Sequence, residues 1–186
     1  MDKRSSPETD VLIVGAGIAG LAAARFALAA GKRVVVLEKS RGVGGRLATR
    51  RLSDQSFDHG AHFFSVSGDA FKAELDRWEG RGLADLWFRD GERRLFKGRP
   101  SMNALAKELC EGVNVQRQQR VTSVTFGDDG ATLDCEGGER WRGKQVLFTC
   151  PAPQALAIVE GSAIDLESEV RERLAEQKFL DEGSDA

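Results

Sequence analysis

Residues 11–38 read VLIVGAGIAGLAAARFALAAGKRVVVLE, and this stretch decides how the chain folds. It opens with a continuous apolar run, VLIVGA (11–16), that ends at a glycine turn, as a strand buried on both faces does. Residues 18–30 read as a helix, with Gly31 placed where a helix stops. RVVVLE (33–38) is a second buried strand. Strand, helix and strand in this order make a βαβ unit, with parallel strands and a right-handed crossover.

The turn between the first strand and the helix is GAGIAG, which sets Gly15, Gly17 and Gly20 in GxGxxG spacing. Gly15 permits the tight turn, Gly17 lets the backbone approach a pyrophosphate, and Gly20 lets helix and sheet pack closely. The first helical residues, Ile18 and Ala19, bring unpaired N–H groups and partial positive charge to the phosphates. Glu38 closes the second strand, where a carboxylate accepts hydrogen bonds from ribose hydroxyls and repels the 2′-phosphate of NADP. Lys39 follows it and is able to turn toward such a phosphate. KSRGVGGRLATRR (39–51) then places Gly44, Gly45 and Arg46 close behind. A glycine pair lets the chain pass near a ligand, and Arg46 offers a planar fork to phosphate oxygens. Arg50 and Arg51 read as a solvated face.

Outward from this unit the signals are shorter. SMNALAKELCEG (101–112) has helix spacing, with Ser101 expected as its N-cap and Gly112 at its end. NVQ (114–116) is a short strand. QRVTSVTFG, ATLDCEG and ERWRG form three runs parted by DDG and EGG turns, an antiparallel meander. KQVLFTCP (144–151) is a further apolar strand. Residues 65–99 are more polar and read as a small insertion, with Trp78 and Trp87 in its core. The reading divides the chain into a mobile N-terminus (1–9), a nucleotide-binding domain (10–64 and 100–162), the insertion, and a helical tail (163–186) with apolar Ile164, Val170 and Leu174.

Composition narrows the function classes. The chain is 41% hydrophobic and 30% charged with net charge -2, which gives no electrostatic reason to expect nucleic acid or an anionic membrane. Three well-separated cysteines, Cys110, Cys135 and Cys150, and two histidines argue against metal sites and disulfide frameworks. The apolar opening resembles a signal peptide in outline, but its glycines and Arg25 weaken that reading, and a cytoplasmic protein is expected. Cys150 before Pro151 reads as a small apolar residue at a strand end.

Taken together, VLIVGAGIAG…VVVLEKSRGVGGRLATRR resembles the FAD signature of the amine-oxidase and glutathione-reductase-like flavoproteins. FDHGAHFF (57–64) resembles the D-x-G-A-x-x-F segment of renalase and its bacterial relatives, and LFKGRPSMNALAKEL, the meander and QVLFTCPAPQAL follow that subgroup's order. The resemblance covers about residues 10 to 180. It implies an α/β fold: a Rossmann-like FAD-binding domain with a parallel core sheet, an antiparallel β-meander and a small insertion. It implies FAD as cofactor, with Gly15, Gly17 and Gly20 on the pyrophosphate, Glu38 on the adenosine ribose, and Arg46 facing the phosphate or ribityl portion. Gly60, Ala61 and His62 would lie near the flavin, and Val121 would contact adenine through its backbone. The chain departs from the subgroup at His62, where glutamine is usual, and in lacking the family's C-terminal part, so it reads as truncated.

Two functions compete at this stage. One is a flavin-dependent oxidoreductase that takes a hydride from a reduced nicotinamide-type or amine substrate and is reoxidised by dioxygen. The other is a non-catalytic nucleotide-binding remnant, or a subunit that needs a partner chain or self-association through an unpaired sheet edge. An NAD-dependent dehydrogenase shares the glycine fingerprint but does not explain GGRLATRR. His62 is the one weak catalytic candidate. With His59 beside Asp58 it is compatible with a base, a covalent flavin tether, or a polar lining of the turn.

Overall fold

The structure, a computed structural model, describes residues 9–177 apart from Asp54 and Ala163. Of residues 1–9, expected as a mobile N-terminus, 1–8 lie outside the described residues, as does the end of the tail, whereas Thr9 is buried in the first strand. β1 (Thr9–Val14), α1 (Ile18–Ala29) and β2 (Val34–Glu38) form the βαβ unit, with β1 and β2 parallel in the register Leu12 to Val35. A 3-10 turn (Gly45–Leu47) leads into a hairpin of β3 (Thr49–Leu52) and β4 (Gln55–Asp58). Next come β5 (Phe64–Ser65), α2 (Asp69–Gly80), β6 (Ala84–Asp90), β7 (Arg93–Gly98), α3 (Asn103–Leu109) and β8 (Val115–Arg117). The chain continues through β9 (Val121–Gly127), β10 (Gly130–Cys135), β11 (Arg140–Phe148), α4 (Ala152–Glu160) and α5 (Ser168–Ala175).

The central sheet has six strands in the order β8-β2-β1-β11-β10-β9. Parallel pairing runs from β8 to β11, and antiparallel pairing joins β11, β10 and β9. The last meander run and the apolar run after it, expected as separate strands, are one strand. In β11 residues 140–143 pair with β10 and residues 143–148 pair with β1, so Gly143 faces Ala131 on one side and Thr9 on the other. A Cβ at Gly143 would lie 2.8 Å from Leu12 Cγ, so the missing side chain lets the strand pass over the core as it changes partners.

Two buried clusters flank the sheet, because alternate residues of a strand point to opposite faces. Leu12, Val14, Val35 and Leu37 join Val121, Val124, Ala131, Leu133 and Ile158 under the meander and α4. Ile13, Val34 and Val36 join Leu21 and Ala24 of α1, and Leu105 and Leu109 of α3, on the other face. The second cluster also contains Leu75, Trp78, Ala84 and Phe96. Residues 65–99 therefore supply α2 and most of a three-stranded sheet, β5-β7-β6, whose inner face is continuous with the main core. Trp78 is buried as expected, whereas Trp87 lies at the surface against Phe63, with ring centroids 5.3 Å apart.

One buried carboxylate ties these parts together. Glu108 of α3 is 3% exposed and accepts from Arg77 of α2, from Arg81 just after that helix, and from Arg25 of α1. The Trp78 indole N–H adds a fourth donor at 3.1 Å. Burial works against its charged form, but the Arg77 and Trp78 hydrogen bonds and the arginine charges hold its pKa below the ordinary carboxylate value.

Ser101 does not cap α3. That helix begins at Asn103 with no side-chain cap from its own neighbours. Its entry is held from a distance: Met102 N–H points at both Asp58 oxygens, 3.2 Å each, and Thr49 Oγ1 donates to Asp58 Oδ1 at 2.5 Å. α4, which the local pattern did not announce, follows Pro151 at its N-cap.

Candidate FAD-binding site

The site forms where β1, β2 and β11 end together, the place where open α/β sheets bind ligands. β1 stops at Val14, and Gly15, with φ +107°, turns the chain in a conformation other residues rarely adopt. α1 then starts at Ile18 with no side-chain cap, so the first amides of the helix are unclaimed by side chains among the described residues. Gly20 fits only as glycine: a Cβ there would lie 2.0 Å from the Gly15 carbonyl oxygen and 2.6 Å from Thr149 Oγ1. Gly17 differs, since nothing lies within 4 Å of where its Cβ would be. The turn thus leaves open space above Gly17, where the backbone is bare.

Glu38 is 7% exposed and both of its oxygens are engaged. Oε2 accepts from Ala16 N–H at 2.8 Å and Oε1 from Ser40 N–H at 2.8 Å. Each oxygen keeps acceptor capacity for a ribose hydroxyl. The same carboxylate therefore joins the glycine turn to the loop after β2. Lys39 reaches away from it to Gln154 Oε1, 3.1 Å distant on α4.

The second glycine segment closes over the first. Gly44, with φ +118°, donates its N–H to Ala16 O at 2.8 Å and forms an isolated bridge with Gly17. A Cβ on Gly45 would lie 3.3 Å from Gly17 Cα. Beyond it, Arg46 O accepts from Ala61 N–H at 2.8 Å, and a Cβ on Gly60 would lie 2.0 Å from that same oxygen. The FDHGAH turn is therefore built directly against GGR, which explains why the two segments occur together. Val121 begins β9 just after Gln118 and Gln119, whose N–H groups bond Ser40 O and Glu38 O. Gly15, Gly17, Gly20, Glu38, Gly44, Gly45, Arg46, Gly60, Ala61 and Val121 thus come to one end of the sheet.

His59 and His62 are exposed, and His62 makes no hydrogen bond among the described residues. Asp58, beside them, is occupied with Thr49 and the start of α3. Cys150 is half-buried at the end of β11, and burial pushes its thiol pKa up, which suits a packing role. Among the described residues no group of His, Cys, Asp and Glu is placed to hold a metal ion. No helix among them is long and apolar enough to cross a membrane.

Sequence reasoning missed Thr149. Its hydroxyl lies 3.0 Å from both Val14 O and Gly15 O, against the glycine turn although it is more than 130 residues away in the chain. A polar residue closing an apolar strand, before Cys-Pro, was the available signal. The site fits an adenine dinucleotide on three counts: bare backbone with open space at Gly17, uncapped helix amides, and a buried carboxylate at the ribose position.

Comparison with known proteins agrees with this geometry. Residues 13–78 match the model of an NAD(P)-binding Rossmann-like domain, and residues 79–179 match that of the flavin-containing amine oxidoreductases. A Drosophila melanogaster protein, anon-37Cs, is 32% identical over 149 residues, covering 72% of this chain and 29% of its own length. Putrescine oxidase of Kocuria rosea is 45% identical over 69 residues, 37% of this chain and 14% of that enzyme. The chain therefore spans less than a third of the length of these curated relatives. A solved structure of a putrescine oxidase redesigned in its cofactor binding superposes with a TM-score of 0.73 at 16% identity, covering 90% of this chain and 63% of that one, and it shows the shared fold. The chain belongs to the family of flavin-containing amine oxidoreductases, and FAD is its cofactor.

Proposed function

We propose that this chain forms the cofactor-holding part of an FAD-dependent oxidoreductase acting on an amine or a reduced nicotinamide-type substrate. The observation that carries the reading is the junction of Gly17, Glu38 and Gly44–Arg46 at one end of the sheet, with space left over Gly17. In this reading the amides of Gly17, Ile18 and Ala19 hold the pyrophosphate, Glu38 the adenosine ribose and Arg46 the phosphate or ribityl portion. Val121 meets adenine through its backbone, and Gly60, Ala61 and His62 border the flavin ring. The chemistry supplied by the bound group is two-electron oxidation of the substrate, with dioxygen taking up the electrons afterwards. His62 serves as a polar wall there, since neither Asp58 nor another described group orients it as a base. The FDHGAHFF segment supports placement near renalase and its bacterial relatives, and the glycines and Arg25 within the apolar opening, which weaken its likeness to a signal peptide, support a cytoplasmic location. Anaerobic reduction of the FAD-loaded protein tests the substrate class. Dihydronicotinamides reducing it faster than amines favours the renalase-like branch, the reverse favours an amine oxidase, and no reduction by either counts against catalysis by this chain.

A second reading rests on the sheet edge. Beyond Gly143, β11 has β1 on one side and, among the described residues, no strand on the other, while Leu147 and Phe126 nearby are 41% and 58% exposed. Such an edge with apolar flanks takes a strand from another chain or copy. Sedimentation of the protein across concentrations checks this, and a monomer throughout removes self-association as the explanation.

A further inference from the structure

We propose that Thr149 is a positioning residue for the pyrophosphate turn, acting with Glu38 to fix the Gly15–Ala16 peptide from both ends; the inference rests on the FAD-site reading above. Val14 O already accepts the Thr149 backbone N–H at 2.9 Å. The single hydroxyl proton of Thr149 is therefore needed most at Gly15 O, 3.0 Å away, a carbonyl wedged against Gly20. The amide of the same peptide unit, Ala16 N–H, points the other way to Glu38 Oε2 at 2.8 Å. Ala16 O is then taken by Gly44 N–H, also at 2.8 Å. Two successive peptide groups are thus held by three distant segments: the ends of β11 and β2 and the second glycine loop.

This arrangement decides which way the turn's dipoles face. Gly15 has no side chain to restrict it, so its peptide rotates freely once its partners are lost. A rotated unit turns its carbonyl oxygen instead of its N–H toward the Glu38 carboxylate, which repels it, and so displaces the adjoining Gly17 and Ile18 amides that face a bound pyrophosphate. Apparent affinity then falls by the fraction of molecules left in the correct orientation.

The test compares Thr149→Val, which keeps shape and loses the hydroxyl, with Thr149→Ser, which keeps the hydroxyl. Thr149→Ala serves as a second variant without it. Fluorescence titration measures FAD and ADP affinity, and hydrogen exchange at Ala16 reads the turn without ligand. We expect Val and Ala to weaken both ligands about fivefold to tenfold and Ser to stay within about twofold of wild type. Exchange at Ala16 is expected to quicken in Val and Ala but not in Ser. FAD affinity unchanged in Thr149→Val, or Ser as weak as Val, overturns the proposal. A wild-type chain that binds neither FAD nor ADP defeats the cofactor reading instead, and the exchange comparison then decides Thr149 by itself.

Discussion

The two sides of β11 differ in kind. At its C-terminal end, against β1, the backbone groups of the turn are claimed by the chain's own Thr149, Glu38 and Gly44. On its outer side, beyond Gly143, the strand pairs with no other strand among the described residues, and Leu147 is 41% exposed. The first region is organised in advance for a ligand, so little ordering cost remains at binding. The second has backbone groups and apolar surface still to be satisfied. Preorganisation at one end of a strand and incompleteness along its edge are thus independent properties, and each can be altered alone.

The sharpest contrast lies within the turn. Gly20→Val must displace the Gly15 carbonyl, and we expect it to destabilise the fold by roughly 3 kcal/mol and abolish FAD binding. Gly17→Val places its Cβ where nothing lies within 4 Å, so its stability should stay within about 0.5 kcal/mol of wild type while FAD binding is still lost. Thermal melts paired with FAD titrations separate the two, and equal melting losses would contradict the assignment of open space to Gly17.

Glu108 supports the organised side from beneath. Glu108→Leu leaves the Trp78 indole without its acceptor and Arg77 and Arg81 with only Glu74 and Glu111, and we expect a loss of about 2–3 kcal/mol, below the full cost of a broken buried pair because the arginines are partly exposed and keep these partners. Because the folded-state pKa of Glu108 is depressed, its contribution is complete above the unfolded carboxylate value and fades as pH falls through the folded one. Urea melts of wild type and Glu108→Leu should therefore converge in acid. A gap that stays constant with pH would remove the charge from the explanation.

Smaller still is the effect expected at Glu38. Glu38→Ala removes the proposed ribose acceptor and the Ala16 tie, at an expected cost of about 2 kcal/mol in FAD affinity by calorimetry. The open edge should respond least in stability: Leu147→Lys is expected to change it by less than about 0.5 kcal/mol while suppressing self-association in sedimentation. Association that survives this substitution would place the contact elsewhere.

Much of the organised region was legible because its signals are local. The apolar runs of β1 and β2, the glycine spacing and the strand-end glutamate each need only neighbours in sequence to be read. What stayed hidden depends on distance. Asp58 capping the start of α3, Thr149 on Gly15 and the Glu108 cluster join segments 40 or more residues apart, or different helices, and leave no periodic trace. The merging of the last meander run with the apolar run after it into β11 was missed because Gly143 reads as a turn, while in the sheet it sits at the change of partners. Trp87 was expected inside on hydrophobicity alone, but β6 shifts register between Leu86 and Phe88, and this stretch is exposed.

The most direct test of the account is a calorimetric titration of the purified chain with FAD, repeated with NADP as competitor. The account predicts stoichiometric FAD binding, a yellow protein that releases FAD on denaturation, and no displacement by NADP at comparable concentration, since Glu38 opposes a 2′-phosphate and Lys39 is held toward α4. A colourless protein that shows no heat with FAD, or one from which equimolar NADP removes the flavin, would contradict it.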